Sequence, residues 1–364
     1  NAPATIENLS AVSKTLTNTS VGNDASNTVT VGEILTYTVT ITVPEGTTPD
    51  LKLLDTLDAG LAFVDVVSIT PSNGVASSAG AFAPGMGVIS NASPADIDKG
   101  RVLTVNLGNV TNSNSSENTA ETIAITYRAV VLNASLVNDG TTHDNTAAVS
   151  WTANGNTSSL TVKAGAVTVS EPKLALELQV LDLSGNPVEN IRGNQGDTVT
   201  VRVTIASNGS DAFEANAFNL AFSNSLPTGM TFVPGSITPK SGVTPTATNF
   251  AGGNITASYD SFADGSTSVF EFKVTLDGAV ATGDITNSGQ LTYTSIAGNP
   301  GTITPNNPFA AERTGDTALA GGTANDLKEI NTASVTLNHP PTTIDGSDRV
   351  SSGDTVQIPG LGGS

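Results

Sequence analysis

The chain has 364 residues, a net charge of −19 and no cysteine. Its 14 basic residues are scattered and outnumbered, which argues against nucleic-acid binding and against attraction to an anionic membrane surface. Without Cys there are no disulfide staples and no thiolate chemistry. Only 13% of residues are charged, half the share of an ordinary globular chain, and Thr, Ser, Asn and Gly take their place. That substitution favours pleated strands over exposed helix faces. No run is apolar and long enough to span a bilayer as a helix. The first residue is Asn1, with no basic-then-apolar leader before it, so the chain reads as processed or cut from something longer.

In chain order, the first signal is "AVSKTLT", a short alternating segment containing Lys14. Next comes "VGEILTYTVTITV", Val31 to Val43, where Leu35, Tyr37, Val39, Ile41 and Val43 alternate with polar residues. That period of two predicts a half-buried strand. "LLDTLDAGLAFV" (Leu53 to Val64), "IAITYRAVV" (Ile123 to Val131) and "DNTAAVSWT" (Asp144 to Thr152) follow. After "SEPKL" (Ser170 to Leu174) the same series returns in the same order. Its members are "QGDTVTVRVTI" (Gln195 to Ile205), "FSNSLPTGMTFV" (Phe222 to Val233), "VFEFKVTL" (Val269 to Leu276) and "TNSGQLTYT" (Thr286 to Thr294). Four matches in one order predict two copies of a domain, over residues 1–170 and 171–338. Each copy should hold about eight to ten short strands between Gly, Asn, Asp and Pro turns, which predicts an all-β chain of two tandem sandwiches. Residues 339–364 are a polar tail or the start of a next element. Within it "TVQIPG" (Thr355 to Gly360) has the pattern of a lone strand that could complement a neighbouring sheet edge.

Three polar residues of the first copy fall on apolar strand faces. Lys14 shares its face with Val12 and Leu16, Asp55 with Leu51, Leu53 and Leu57, and Asn145 with Ala147, Val149 and Trp151. Strand side chains alternate, so all three should point into the core, where Lys and Asp are rare unless paired. Two plainer readings stand beside any chemistry. One is a buried Lys14–Asp55 salt bridge with Asn145 hydrogen-bonded nearby, and the other puts Lys14 in solvent at a frayed edge.

The segments "GEILTYTVTITVP", "LLDTLDAGLAFV" and "DNTAAVSW" resemble the immunoglobulin-like domains of Gram-positive fimbrial and related surface proteins. These domains form an internal Lys–Asn isopeptide bond. The resemblance implies a cross-link between Lys14 on an early strand and Asn145 on a late one, assisted by Asp55 on a middle strand. Burial favours a neutral, nucleophilic amine and a protonated carboxyl, which is the chemistry such a bond needs. The second copy departs from the pattern. Asn224 and Asn287 stand in for Asp55 and Asn145, and "LELQV" (Leu176 to Val180) has no Lys. Lys173 lies on the other face, so the second domain should be uncross-linked.

Other chemistry is weakly signalled. His143 adjoins Asp144, but no Ser occupies a strand-to-helix elbow, and zinc would need more ligands than His143 and His339 supply. No cofactor is implied. Calcium is the one ion left open, in the acidic turns at 96–100, 182–190 and 344–354, although none matches an EF-hand. Asn-x-Ser/Thr sequons such as Asn18 and Asn254 are as frequent as the composition produces by chance. Trp151 and Tyr37 sit on apolar faces and belong to the core. The expectation is therefore a non-enzymatic, extracellular segment of a bacterial cell-surface adhesin, stalk or fibre, partnered by other domains or copies of the same protein. The alternatives are a self-assembling filament or surface-layer subunit, and a module binding carbohydrate or host protein.

Overall fold

A computed structural model describes residues 9, 11–21, 27–115, 120–207, 215–277, 283–297, 304–315 and 325–337. His339, the acidic turn at 344–354 and the strand expected at 355–360 lie outside them. The first half contains β1 (Val12–Thr19), β2 (Thr28–Val29), β3 (Ile34–Thr42), β4 (Gly46–Leu57), β5 (Leu61–Pro71), β6 (Val75–Ser77), β7 (Gly87–Ser90), β8 (Val102–Asn112), β9 (Thr122–Val131), β10 (Thr142–His143), β11 (Asn145–Ala153), β12 (Asn156–Lys163) and β13 (Val167–Val169). The second contains β14 (Leu174–Leu181), β15 (Pro187–Val188), β16 (Asn190–Gly193), β17 (Thr198–Ser207), β18 (Ala217–Ser225), β19 (Met230–Phe232), β20 (Thr238–Gly242), β21 (Ala247–Ala251), β22 (Asn254–Phe262), β23 (Thr267–Leu276), β24 (Gly283–Thr294) and β25 (Lys328–Leu337). Thirteen and twelve strands exceed the eight to ten expected, because two- and three-residue strands such as β2, β10 and β15 are too short to carry an alternation. The described helices are two single 3-10 turns, Pro84–Met86 and Asp96–Asp98.

The fold is all-β, with two β-sandwiches. In the first, sheet β1-β3-β9-β5 faces sheet β12-β11-β4-β8-β6, with β7 on β8 and a small sheet β10-β13-β2 at one end. In the second, β14-β17-β23-β19 faces β25-β24-β18-β22 within its larger sheet. The order β1-β3-β9-β5 corresponds to β14-β17-β23-β19, and β12-β11-β4-β8 to β25-β24-β18-β22. The cause is visible along β3, where Leu35, Tyr37, Val39 and Ile41 are fully buried and the intervening Thr residues half-buried. A one-residue slip would turn this whole set to solvent, so register is strongly specified. Burying one Leu or Ile contributes about 1.5–3 kcal/mol, and each half has its own contiguous core.

One long connection departs from this repeat. Between β24 and β25, residues 304–313 lie against the first sandwich, where Ala310 joins the first core and Phe309 packs against it. Arg313 is buried at this seam. It pairs with Glu171, donates to the carbonyls of Val137 at 2.8 Å and Ala134 at 3.2 Å, and reaches Asn133 Oδ1 at 3.2 Å. Asn133 in turn donates from its backbone to Phe309 O at 2.8 Å and from Nδ2 to Asn325 Oδ1 at 2.8 Å. Gly32 is required here: its φ is +88°, and a Cβ would lie 2.9 Å from the Glu312 Cα.

Candidate functional site

Lys14, Asp55 and Asn145 come from three strands of the first sandwich and meet in its core. Lys14 lies on β1 opposite Val39 of β3. Asp55 lies on β4 between Leu103 of β8 and Ala147 of β11. Asn145 opens β11 opposite Leu57. The amine therefore comes from one sheet, and the carboxyl and carboxamide from the other. Nothing else on β1 is fully buried: Val12 and Leu16 are half-buried, and only Lys14 turns wholly inward.

Lys14 Nζ sits 2.8 Å from both Asp55 Oδ1 and Oδ2, with no side-chain exposure on either residue. It also contacts Asn145 Oδ1. This geometry removes the reading of Lys14 as a frayed, solvated edge residue. The rings of Tyr37 and Tyr127 flank the amine, each centroid 5.8 Å from Nζ.

Burial sets the electrostatics. It pushes the Lys14 amine down to about 8, against the attraction of Asp55. The same burial pushes the Asp55 carboxyl up, against Lys14 and a hydrogen bond from Tyr127. Both groups thus move toward their neutral forms, as expected when desolvation outweighs the ion-pair attraction. The amine is thus unprotonated more often than that of an ordinary lysine.

Tyr127 was not singled out by sequence, since on β9 it reads as one more apolar position. Its hydroxyl donates to Asp55 Oδ2 at 2.6 Å and accepts from Asn145 Nδ2 at 2.9 Å. The carboxamide is thereby oriented with Oδ1 toward the amine and Nδ2 toward the tyrosine. Burial and the neighbouring Asp55 hold the Tyr127 hydroxyl well above the ordinary tyrosine range, so it stays protonated.

The second sandwich provides an internal contrast. Lys14 pairs with Val39 and Leu178 with Val203, at equivalent places in the two sheets, so Leu178 occupies the lysine position. Val203 faces Phe270 and Val201 faces Phe272, as Val39 faces Ile125 and Tyr37 faces Tyr127. Phe272 is thus the counterpart of Tyr127. Asn224 and Asn287 are fully buried; Asn224 Nδ2 donates to Asn287 Oδ1 at 2.9 Å and to Ser288 O at 2.8 Å. Asn224 Oδ1 and Asn287 Nδ2 have no partner.

Among the described residues, the remaining candidates do not assemble into sites. His143 is buried beside Gly60 in the small end sheet, while Asp144 pairs with Lys163 at 3.0 Å. In the 96–100 turn, Asp96 pairs with Lys99 and Asp98 with Arg101. Asp182 caps its own turn through the backbone N–H groups of Ser184 and Asn186. Among the described residues no group of three or more His, Asp or Glu is placed to hold a metal ion. Trp151 and Tyr37 lie in the core.

No family profile and no curated protein sequence matches this chain. Among solved structures, the C-terminal domain of the Streptococcus agalactiae AgI/II polypeptide BspA aligns over 90% of this chain and 100% of that one, at 14% identity and a TM-score of 0.45. The C-terminal domain of the Streptococcus pyogenes antigen I/II-family protein AspA aligns over 90% and 100%, at 12% identity and a TM-score of 0.42. Domains D2 and D3 of the Corynebacterium diphtheriae major pilin SpaD align over 90% and 99%, at 13% identity and a TM-score of 0.30.

Proposed function

We propose that this chain is a structural segment of a bacterial cell-surface adhesin, stalk or fibre, whose first domain closes itself with an isopeptide bond between Lys14 and Asn145. The observation that carries this reading is the buried amine held against both a carboxyl and a carboxamide. In the reaction the neutral Lys14 Nζ attacks Asn145 Cγ, and Asp55, protonated, polarises the carbonyl. The Nζ–Cγ bond forms, the Cγ–Nδ2 bond breaks, and ammonia leaves with the proton that Nζ gives up. No external substrate, oxidant or cofactor is needed. Holding the reacting groups in one place supplies much of the acceleration, since fixed intramolecular geometry is worth about 7–11 kcal/mol in favourable cases.

The bond would join the two sheets and pin β1, an edge strand held by β3 alone in its sheet. Mechanical load entering at either end would then bypass most of the domain. Intact-protein mass spectrometry tests the reading. The chain should lack the mass of one ammonia, and Lys14→Ala should restore the unreacted mass. A full, unreacted mass in the wild type would leave a buried salt bridge in place of the bond.

A self-assembling subunit is the second reading. The feature that favours it is β21, a sheet edge whose residues Ala247–Ala251 are exposed throughout. Such an edge presents unpaired backbone groups to an incoming strand. Negative-stain images of the purified chain separate the two, with filaments for assembly and isolated rods for a stalk.

A further inference from the structure

We propose that Tyr127 is a catalytic residue of the cross-linking reaction, relaying a proton from the Asp55 carboxyl to the departing nitrogen of Asn145. This inference rests on the isopeptide reading and adds a fourth residue to it. An amide nitrogen is a poor leaving group until it is protonated, so the reaction needs an acid at Nδ2 as well as one at Oδ1. Asp55 faces the amine through both of its oxygens, and its Oδ2 also takes the Tyr127 hydroxyl at 2.6 Å. That hydroxyl accepts a hydrogen bond from Asn145 Nδ2 at 2.9 Å.

The proton path follows from these contacts. When Nζ adds to Cγ, Nδ2 changes from a planar amide nitrogen to a basic amine with a lone pair. The Tyr127 O–H turns to donate to it and takes a proton from Asp55 in the same movement. Asp55 is restored by the proton that Nζ loses. One N–C bond has formed, one has broken, and ammonia departs with three hydrogens. The hydroxyl acts as a neutral conduit; its raised pKa keeps a tyrosinate out of the core.

Two comparisons within the chain separate this role from ring packing. Tyr37 lies directly opposite Tyr127, equally buried, with ring centroids 5.8 Å apart. Its ring flanks the amine at the same distance, yet its hydroxyl has no partner. In the second sandwich the Tyr127 position is Phe272, the lysine position is Leu178, and Asn287 Nδ2 is left without a partner. The hydroxyl is missing where the amine is missing.

The test is the rate of ammonia loss after cell-free synthesis, followed by mass for the wild type, Tyr127→Phe and Tyr37→Phe. Both substitutions keep the ring, and circular dichroism reports that each variant folds. Tyr127→Phe should slow the reaction by at least about 10-fold, within the range for loss of a general acid, and Tyr37→Phe should match the wild type. Tyr127→Phe reacting at the wild-type rate overturns the relay while the cross-link stands. Equal slowing by both substitutions reassigns the effect to packing and also overturns it. A wild type that never loses ammonia defeats the cross-link itself, and the relay with it.

Discussion

Lys14 and Asn145 are 131 positions apart in sequence and on opposite sheets, yet the lysine amine touches the asparagine carbonyl oxygen inside the first core. A bond between them would close nearly the whole first domain into one covalent loop. Chain-entropy arguments developed for disulfides put the stabilisation from a loop of that size at about 5 kcal/mol. Unlike a disulfide, the link is indifferent to reductants.

Asp55→Asn should therefore abolish the reaction while leaving the fold recognisable. We expect its first domain to melt roughly 10–20 °C below the wild type. Differential scanning calorimetry with parallel mass measurement checks this, and an unreacted variant melting at the wild-type temperature would refute it.

The same loop predicts a mechanical signature. Pulled by its ends in a force spectrometer, the wild type should never release the stretch between Lys14 and Asn145, which are 131 positions apart. Asp55→Asn should release it, adding about 430–470 Å of extension at the length of a fully extended chain.

The second sandwich should accept the chemistry it lacks. Leu178→Lys with Asn224→Asp places an amine and a carboxyl beside Asn287, at positions equivalent by register to Lys14 and Asp55. The double variant should lose a second ammonia, and adding Phe272→Tyr should speed that loss. A mass showing only one ammonia lost would mean that the second core does not hold the groups in reacting geometry.

The seam between the sandwiches gives a separate prediction. Arg313→Ala would leave Glu171 without its cation and the Val137 carbonyl without its donor, a loss of the kind that costs about 3–5 kcal/mol. A Cys-free chain can be spin-labelled cleanly at Thr157→Cys and Ser241→Cys, both exposed. The inter-label distance distribution should be narrow in the wild type and broad in the Arg313→Ala background.

Glu312 should make that seam sensitive to pH. Burial pushes its carboxyl up to about 7, against a hydrogen bond from Thr294, and its Oε2 has no partner. A folded-state pKa raised above the unfolded value of 4.5 means that the docked form holds the extra proton. The contribution is most favourable below pH 4.5 and is lost as the pH rises through 7. Labelled protein should therefore show a narrower distribution at pH 5 than at pH 8, and Glu312→Gln should remove the difference.

Alternation of apolar and polar residues over Val31–Val43 and Gln195–Ile205 was enough to determine an all-β chain with a repeated strand series, because side-chain period is a local property. The same parity argument pointed Lys14, Asp55 and Asn145 inward, since a strand's inner face follows from its neighbours. Tyr127 and Arg313 were not legible. A tyrosine on an apolar face looks like packing until the strand opposite places a carboxyl and a carboxamide against its hydroxyl. Arg313 lies in a stretch with no periodicity, and its side-chain partners are more than 140 residues away. Sequence by itself thus determined which face each strand buries. Only the tertiary structure decided which polar groups meet there, because contacts between sheets depend on register and packing across the core.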